Sequence, residues 1–180
     1  QLLARLANAY TVVGDLTSAS DTLEQAISIA PNIGSLYYER TNILLNLGRT
    51  ENAFACVETG ISLARTDSSL PRLYILAACL YRLNGDLASA LGYIRNGLEE
   101  YKHLEASQSS DTPTLSLEDR LLVADLYRAS LQPLKAHQAL KDEPDFKEIG
   151  DSQITGTYLD WIGLKIELEL ELNYTPDVHH

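Results

Sequence analysis

The sequence predicts an all-α chain, a right-handed α-α superhelix stacked from antiparallel helix pairs. Two observations point there. Apolar residues recur at helical spacing in paired short runs: Leu3, Leu6, Tyr10 and Val13 lead to Gly14-Asp15, and Ala19, Leu23, Ala26 and Ile27 follow until Pro31. The glycine that separates the runs recurs as Gly48 and Gly85, 34 and then 37 residues on. One such pair cannot bury its apolar stripe alone, so copies must stack on it.

Aligning on the glycines aligns the rest of each copy. The second helices share a small residue at Ala19, Ala53 and Ala90, a large one at Leu23, Val57 and Ile94, and another small one at Ala26, Gly60 and Gly97. The first helices align Leu3, Tyr37 and Tyr74, then Ala7, Thr41 and Ala78, then Tyr10, Leu44 and Tyr81. Small residues recur where helices approach closely, large ones where space must be filled. The turn glycine accepts the left-handed backbone that ends a helix. The longer second interval places an insertion of about three residues at Thr66–Leu70. The register predicts that Ala7, Tyr10, Ala19, Leu44, Ala53, Ala78, Tyr81 and Ala90 are buried between helices.

This pattern resembles the tetratricopeptide repeat family. The first copy carries the family's residues at Leu3, Leu6, Ala7, Tyr10, Gly14, Ala19, Leu23, Ala26 and Pro31, while Arg65 and Lys102 stand at the final Pro position of the next two. The expected organisation is three repeats over 1–103, a Ser/Thr-rich loop over 104–115 and a divergent fourth repeat over 116–143. An irregular stretch over 144–155, a helix over 156–173 and a tail over 174–180 follow. Ser116 is the expected cap of the fourth repeat, with an acidic residue three positions later. Leu131 replaces its turn glycine, and Pro133 opens its second helix. In the last helical stretch Ile166–Leu172 alternates as a strand would, yet Trp161, Leu164, Leu168 and Leu172 share a helical face. A lone strand would leave its edge unpaired, so a helix is expected, a capping element or the start of a fifth repeat, with Glu167 and Glu171 facing water.

Gln1 falls inside a helical pattern and there is no initiator Met or signal peptide, so a longer parent chain is expected. His179 and His180 read as a tag remnant. The net charge of −11 argues against nucleic acid or an anionic membrane as the main partner. No apolar run is long enough to span a membrane. Cys56 and Cys79 fall on different faces and are expected to stay reduced, which fits the cytoplasm over the periplasm. Glu99-Glu100 and Glu118-Asp119 read as helix-end charges. No phosphate loop, nucleophile elbow or metal-ligand spacing is present, so neither catalysis, cofactor, metal nor small-molecule substrate is expected.

What remains is a surface. In the family resembled here, first helices line a concave groove that binds proteins or peptides. The resemblance places Arg5, Asn8 and Val12, Tyr38, Glu39, Asn42 and Leu45, Arg72, Ile75, Cys79 and Arg82, and Leu121, Asp125 and Arg128 on it. The partner-binding candidates are Arg5, Asn8, Tyr38, Asn42, Arg72, Cys79, Arg82, Asp125 and Arg128. Relatives that hold a terminal carboxylate do so with Lys and Asn side chains. Here Ala4 stands at the first Lys position and Leu76 at an Arg position, so the carboxylate clamp is not carried over. The expected function is a non-catalytic protein-interaction module. The alternatives are a segment of a longer scaffold in a bacterial export or envelope assembly, or a regulatory domain of a larger enzyme.

Overall fold

A computed structural model describes residues 2–107, 117–140 and 154–174, and their regular structure is entirely helical. The helices are α1 (Leu2–Val13), α2 (Leu16–Ile29), α3 (Gly34–Asn46), α4 (Thr50–Leu63), α5 (Leu70–Leu83), α6 (Leu87–Ser107), α7 (Leu117–Ala129), α8 (Pro133–Ala139) and α9 (Ile154–Tyr174). They form two compact units, Gln1–Pro113 and Thr114–His180.

In the first unit α1/α2, α3/α4 and α5/α6 are the pairs, and each second helix also packs on the next first helix. The turns explain why the glycines recur. Gly14, Gly48 and Gly85 have φ of 86°, 70° and 83°. After each, the next residue's N–H reaches back into the first helix: Asp15 to Tyr10 O, Arg49 to Leu44 O and Asp86 to Tyr81 O, at 2.8–2.9 Å. The α7/α8 turn repeats this geometry with Leu131 at φ 56° and Gln132 N donating to Tyr127 O at 2.9 Å. A leucine in left-handed backbone costs about 1–2 kcal/mol, so packing of the two helices, not local preference, sets that turn. Asp15 and Asp86 then cap α2 and α6, each accepting from the backbone N–H and hydroxyl of the serine three residues on, Ser18 and Ser89. Those hydrogen bonds hold both carboxyls below their ordinary pKa.

The predicted core is present, with one correction. Ala7, Ala19, Leu44, Ala53, Ala78 and Ala90 are buried, around Leu23, Val57, Leu73, Leu80 and Ile94. Tyr10 and Tyr81 are only half-buried; the ring packs inward, and in Tyr81 the hydroxyl donates to Glu58 Oε1 at the rim. The insertion between the second and third pairs is the turn between α4 and α5, with Leu70 already helical.

Three boundaries differ from expectation. α6 runs on to Ser107 rather than stopping at 103, since no Gly or Pro follows Gly97 within it and Leu104 and Ala106 favour helix. Glu99 and Glu100 therefore lie inside α6. α9 begins at Ile154 and ends at Tyr174, wider than 156–173. Gln1, Ser116, the Ser/Thr-rich 108–115 stretch, 141–153 and the His179-His180 tail lie outside the described residues.

In the second unit Trp161 and Leu168 of α9 pack with Ala124 of α7 and Ala136 and Leu140 of α8. Glu167 and Glu171 do not simply face water: both bind Arg128 of α7, at 2.7 Å and 2.8 Å. Asp119, the acidic residue at the start of α7, is buried.

Glycine has two opposite uses on these second helices. A Cβ at Gly60 would lie 2.7 Å from Tyr37 Cβ and 2.8 Å from its Cγ, whereas one at Gly92 meets nothing within 4 Å. Gly60→Ala is expected to lose about 1–3 kcal/mol by overpacking, and Gly92→Ala to gain about 0.5–1 kcal/mol of helix stability. Thermal melts of the two variants check the pair of signs.

Candidate functional site

The helices sort charge. The first helices α1, α3 and α5 carry Arg5, Arg40, Arg72 and Arg82 against one acid, Glu39, a net of 4 − 1 = +3. Of their partners, α2 and α4 carry only acids, Asp21, Glu24, Glu51 and Glu58, while α6 carries Arg95 and Lys102 against Glu99, Glu100 and Glu105. In a chain with a net charge of −11, these three first helices are thus net positive.

On that set the structure joins two of the predicted residues. The Arg72 guanidinium lies 4.2 Å from the Tyr38 ring centroid, and its Nη2 donates to the Tyr38 hydroxyl at 3.0 Å. The contact ties α5 to α3 and keeps both side chains partly exposed. Such stacking fixes the guanidinium without neutralising it. Asn42 on α3, and Cys79 and Arg82 on α5, are also partly exposed, and Arg5 and Asn8 are exposed on α1. Glu39 is exposed, yet its protein surroundings strip enough water to raise its carboxyl pKa. Arg40 is held by Glu24 of α2 at 3.0 Å.

Two expectations change. Ile75, placed on the groove, is fully buried, because Gly97 lets α6 approach α5 there. Arg128 binds Glu167 and Glu171, so its charge serves to hold α9 against α7. Asp125 and Arg128 belong to the second unit, the other candidates to the first.

Cys56 and Cys79 are both free thiols. Burial pushes the Cys56 thiol up, opposed by the nearby Thr41 hydroxyl and Arg40 guanidinium. Its Sγ–H points to Tyr37 O at 3.8 Å.

A cluster that sequence reading missed lies where α4, α5 and α6 meet. Glu58 Oε1 accepts from Tyr93 at 2.6 Å and Tyr81 at 3.2 Å. The two tyrosine rings stack at 4.9 Å, and Phe54 meets Tyr81 edge-on at 5.3 Å. Glu58 and Tyr93 are 35 residues apart in sequence, so only the repeat register could have paired them. Burial, then the Glu58 carboxylate, push the Tyr93 phenol well above its ordinary pKa.

The tetratricopeptide repeat family model matches residues 1–33 and 34–67, the first two helix pairs with their turns. Those two helix pairs are tetratricopeptide repeats. Solved structures that share the repeat fold extend the likeness along the chain. BtubC (BKLC) from P. vanneervenii is similar with a TM-score of 0.67 at 14% identity, over 99% of this chain and 83% of that one. YrrB, described as a TPR protein with an unusual peptide-binding site, gives 0.56 at 13% identity over 95% and 90%. The MamA protein gives 0.55 at 12% identity over 99% and 97%. No curated protein sequence matches. Tetratricopeptide repeats serve as protein-interaction scaffolds, and no helix among the described residues is long and apolar enough to cross a membrane.

The Tyr93 proton sets a pH dependence. An unfolded tyrosine ionises near pH 10, and the folded site holds its proton beyond that. The stability this supplies is complete below about pH 10 and falls as pH rises above it, because the unfolded chain then binds fewer protons than the folded one. Glu58→Gln keeps an acceptor but removes the charge, so one tyrosine of the folded protein is expected to ionise at lower pH. Phenolate absorbance during alkaline titration checks this; superimposable curves for the two proteins would contradict it.

Proposed function

We propose that this chain is a non-catalytic interaction module whose first helices line a groove for an extended peptide or a partner's helix of acidic character. The charge sorting supports the reading: Arg5, Arg72 and Arg82 stand on α1 and α5 at proposed groove positions, with Arg40 tied to Glu24, while α2 and α4 carry acids. Local potential, rather than the net charge, decides which ligand docks. Arg72, stacked on Tyr38, is the fixed docking point. Arg82 lies ten residues further along α5, about 80° short of three turns, and so stands on an adjoining side of the same helix. Arg5, Asn8, Asn42 and Cys79 complete the proposed surface. Arg128, engaged with α9, is left out of it. α7 and α8, with the same turn as the first three pairs, are read as a divergent fourth repeat. The peptide-binding site described for YrrB shows that the fold admits such a use.

The test is a matched peptide panel, acidic against charge-reversed, with free and amidated C-termini, titrated against wild type and the Arg72→Ala/Arg82→Ala variant. Acidic peptides are expected to bind more tightly. The double variant should weaken them by roughly 1–3 kcal/mol, mainly through faster dissociation, at an unchanged melting temperature. Equal binding of both peptide classes, or an undisturbed double variant, would end this reading.

A further inference from the structure

Across the first unit the outward charges of the first helices alternate in sign. Arg5 stands exposed on α1, Glu39 exposed on α3 and Arg72 partly exposed on α5. Arg5 and Glu39 occupy the same place in successive repeats, 39 − 5 = 34 residues apart. The core contacts fix where Glu39 lies on α3. Leu36 and Ile43 pack in the cluster formed with α1 and α2. Tyr37 and Leu44 pack in the one formed with α4 and α5, and Tyr38 and Leu45 border it. At about 100° of rotation per residue, Glu39 falls on the side of α3 adjoining Leu36 and Ile43, while Tyr38, with Arg72 on its ring, falls toward α5. Arg40, the other charge of α3, is held by Glu24 of α2 at 3.0 Å. The exposed strip of α3 therefore carries one charge, and it is negative.

Glu39 is also a carboxylate that the fold leaves unmatched. It makes no hydrogen bond and no ion pair among the described residues. The protein around it strips water and raises its pKa, and no neighbouring cation opposes that shift. Other acids of this unit are engaged: Glu24 pairs with Arg40, and Glu58 takes two tyrosine hydroxyls. A part-dehydrated carboxylate with no counter-charge of its own gains most from a cation brought by a ligand.

We propose that Glu39 selects a basic side chain at the centre of an otherwise acidic extended peptide, so that the ligand presents acid, base and acid to Arg5, Glu39 and Arg72. This selection rests on the acidic-ligand reading above and adds its register. α3 and α5 are direct neighbours, and packed helix axes lie roughly 8–10 Å apart. An extended chain advances roughly 3.3–3.6 Å per residue, so about three residues separate one charge of the ligand from the next. The ligand class is an extended segment with a lysine or arginine about three residues from an acid on either side.

Fluorescence anisotropy with labelled peptides of equal length tests this. The peptides keep the two flanking acids and place Lys, Ala or Glu at the centre; a further one moves the Lys next to an acid. Each is titrated against wild type, Glu39→Gln and Glu39→Lys. Glu39 is exposed, so both variants are expected to keep the melting temperature of wild type. Wild type should bind the Lys-centred peptide about fivefold more tightly than the Ala-centred one. The displaced Lys should give no gain over Ala, and the Glu-centred peptide should bind most weakly. Glu39→Gln should abolish the preference for Lys, and Glu39→Lys should reverse the order so that the Glu-centred peptide binds best. No preference for the central Lys in wild type, an equal gain from the displaced Lys, or a preference that survives both substitutions would overturn the role of Glu39. In those cases the acidic-ligand reading still stands if the Ala-centred peptide binds wild type more tightly than its charge-reversed form. Failure of every peptide to bind wild type would overturn both.

Discussion

Ala19, Ala53 and Ala90 are fully buried, each at the same place on the second helix of its pair. At these points, and at Ala7, Thr41 and Ala78 on the first helices, the backbones approach as closely as small side chains allow. The large residues then have one place to go, and Leu23, Val57 and Ile94 fill it. Gly60 and Gly97 carry the same constraint further, since a Cβ at either would press on Tyr37 or on Tyr74 and the Pro71 carbonyl. The stacking distance is set by these close contacts, and the left-handed turns at Gly14, Gly48 and Gly85 return the chain so that the next contact can form.

Once stacking is rigid, side chains far apart in sequence acquire fixed neighbours. Arg72 rests on Tyr38 across two repeats, and Glu58 collects two tyrosine hydroxyls from the next pair. The first of these contacts fixes a cation on the first helices; the second joins neighbouring repeats through Glu58.

Much of the architecture was legible because stacked repeats write the same physical requirement several times. One glycine is weak information, but three at matching places, with small and large residues in step, define the helix pairs and their contacts. The fourth turn was harder: Leu131 hides a left-handed residue that sequence alone does not announce. Helix ends were least legible. α6 continues to Ser107 since nothing local stops it. The alternation in α9 was ambiguous because a helix buried on one face and apolar on the other imitates the strand pattern. At the candidate surface, sequence register put Arg72 and Tyr38 on one face, but it could not show that they stack, that Arg128 is tied to Glu167 and Glu171, or that Ile75 is buried. Those outcomes depend on side-chain reach between helices, which periodicity does not encode.

The most direct measurement of this account is a comparison of Ala53→Leu with Ala55→Leu by thermal and denaturant unfolding. Both changes lie on α4, add the same atoms and have the same effect on helix preference. Ala53 is fully buried and Ala55 is exposed. The account predicts that Ala53→Leu loses about 1–3 kcal/mol, whereas Ala55→Leu stays within about 0.5 kcal/mol of wild type. Equal stability of the two variants would contradict the claim that close approach at the repeated small residues holds the stack together.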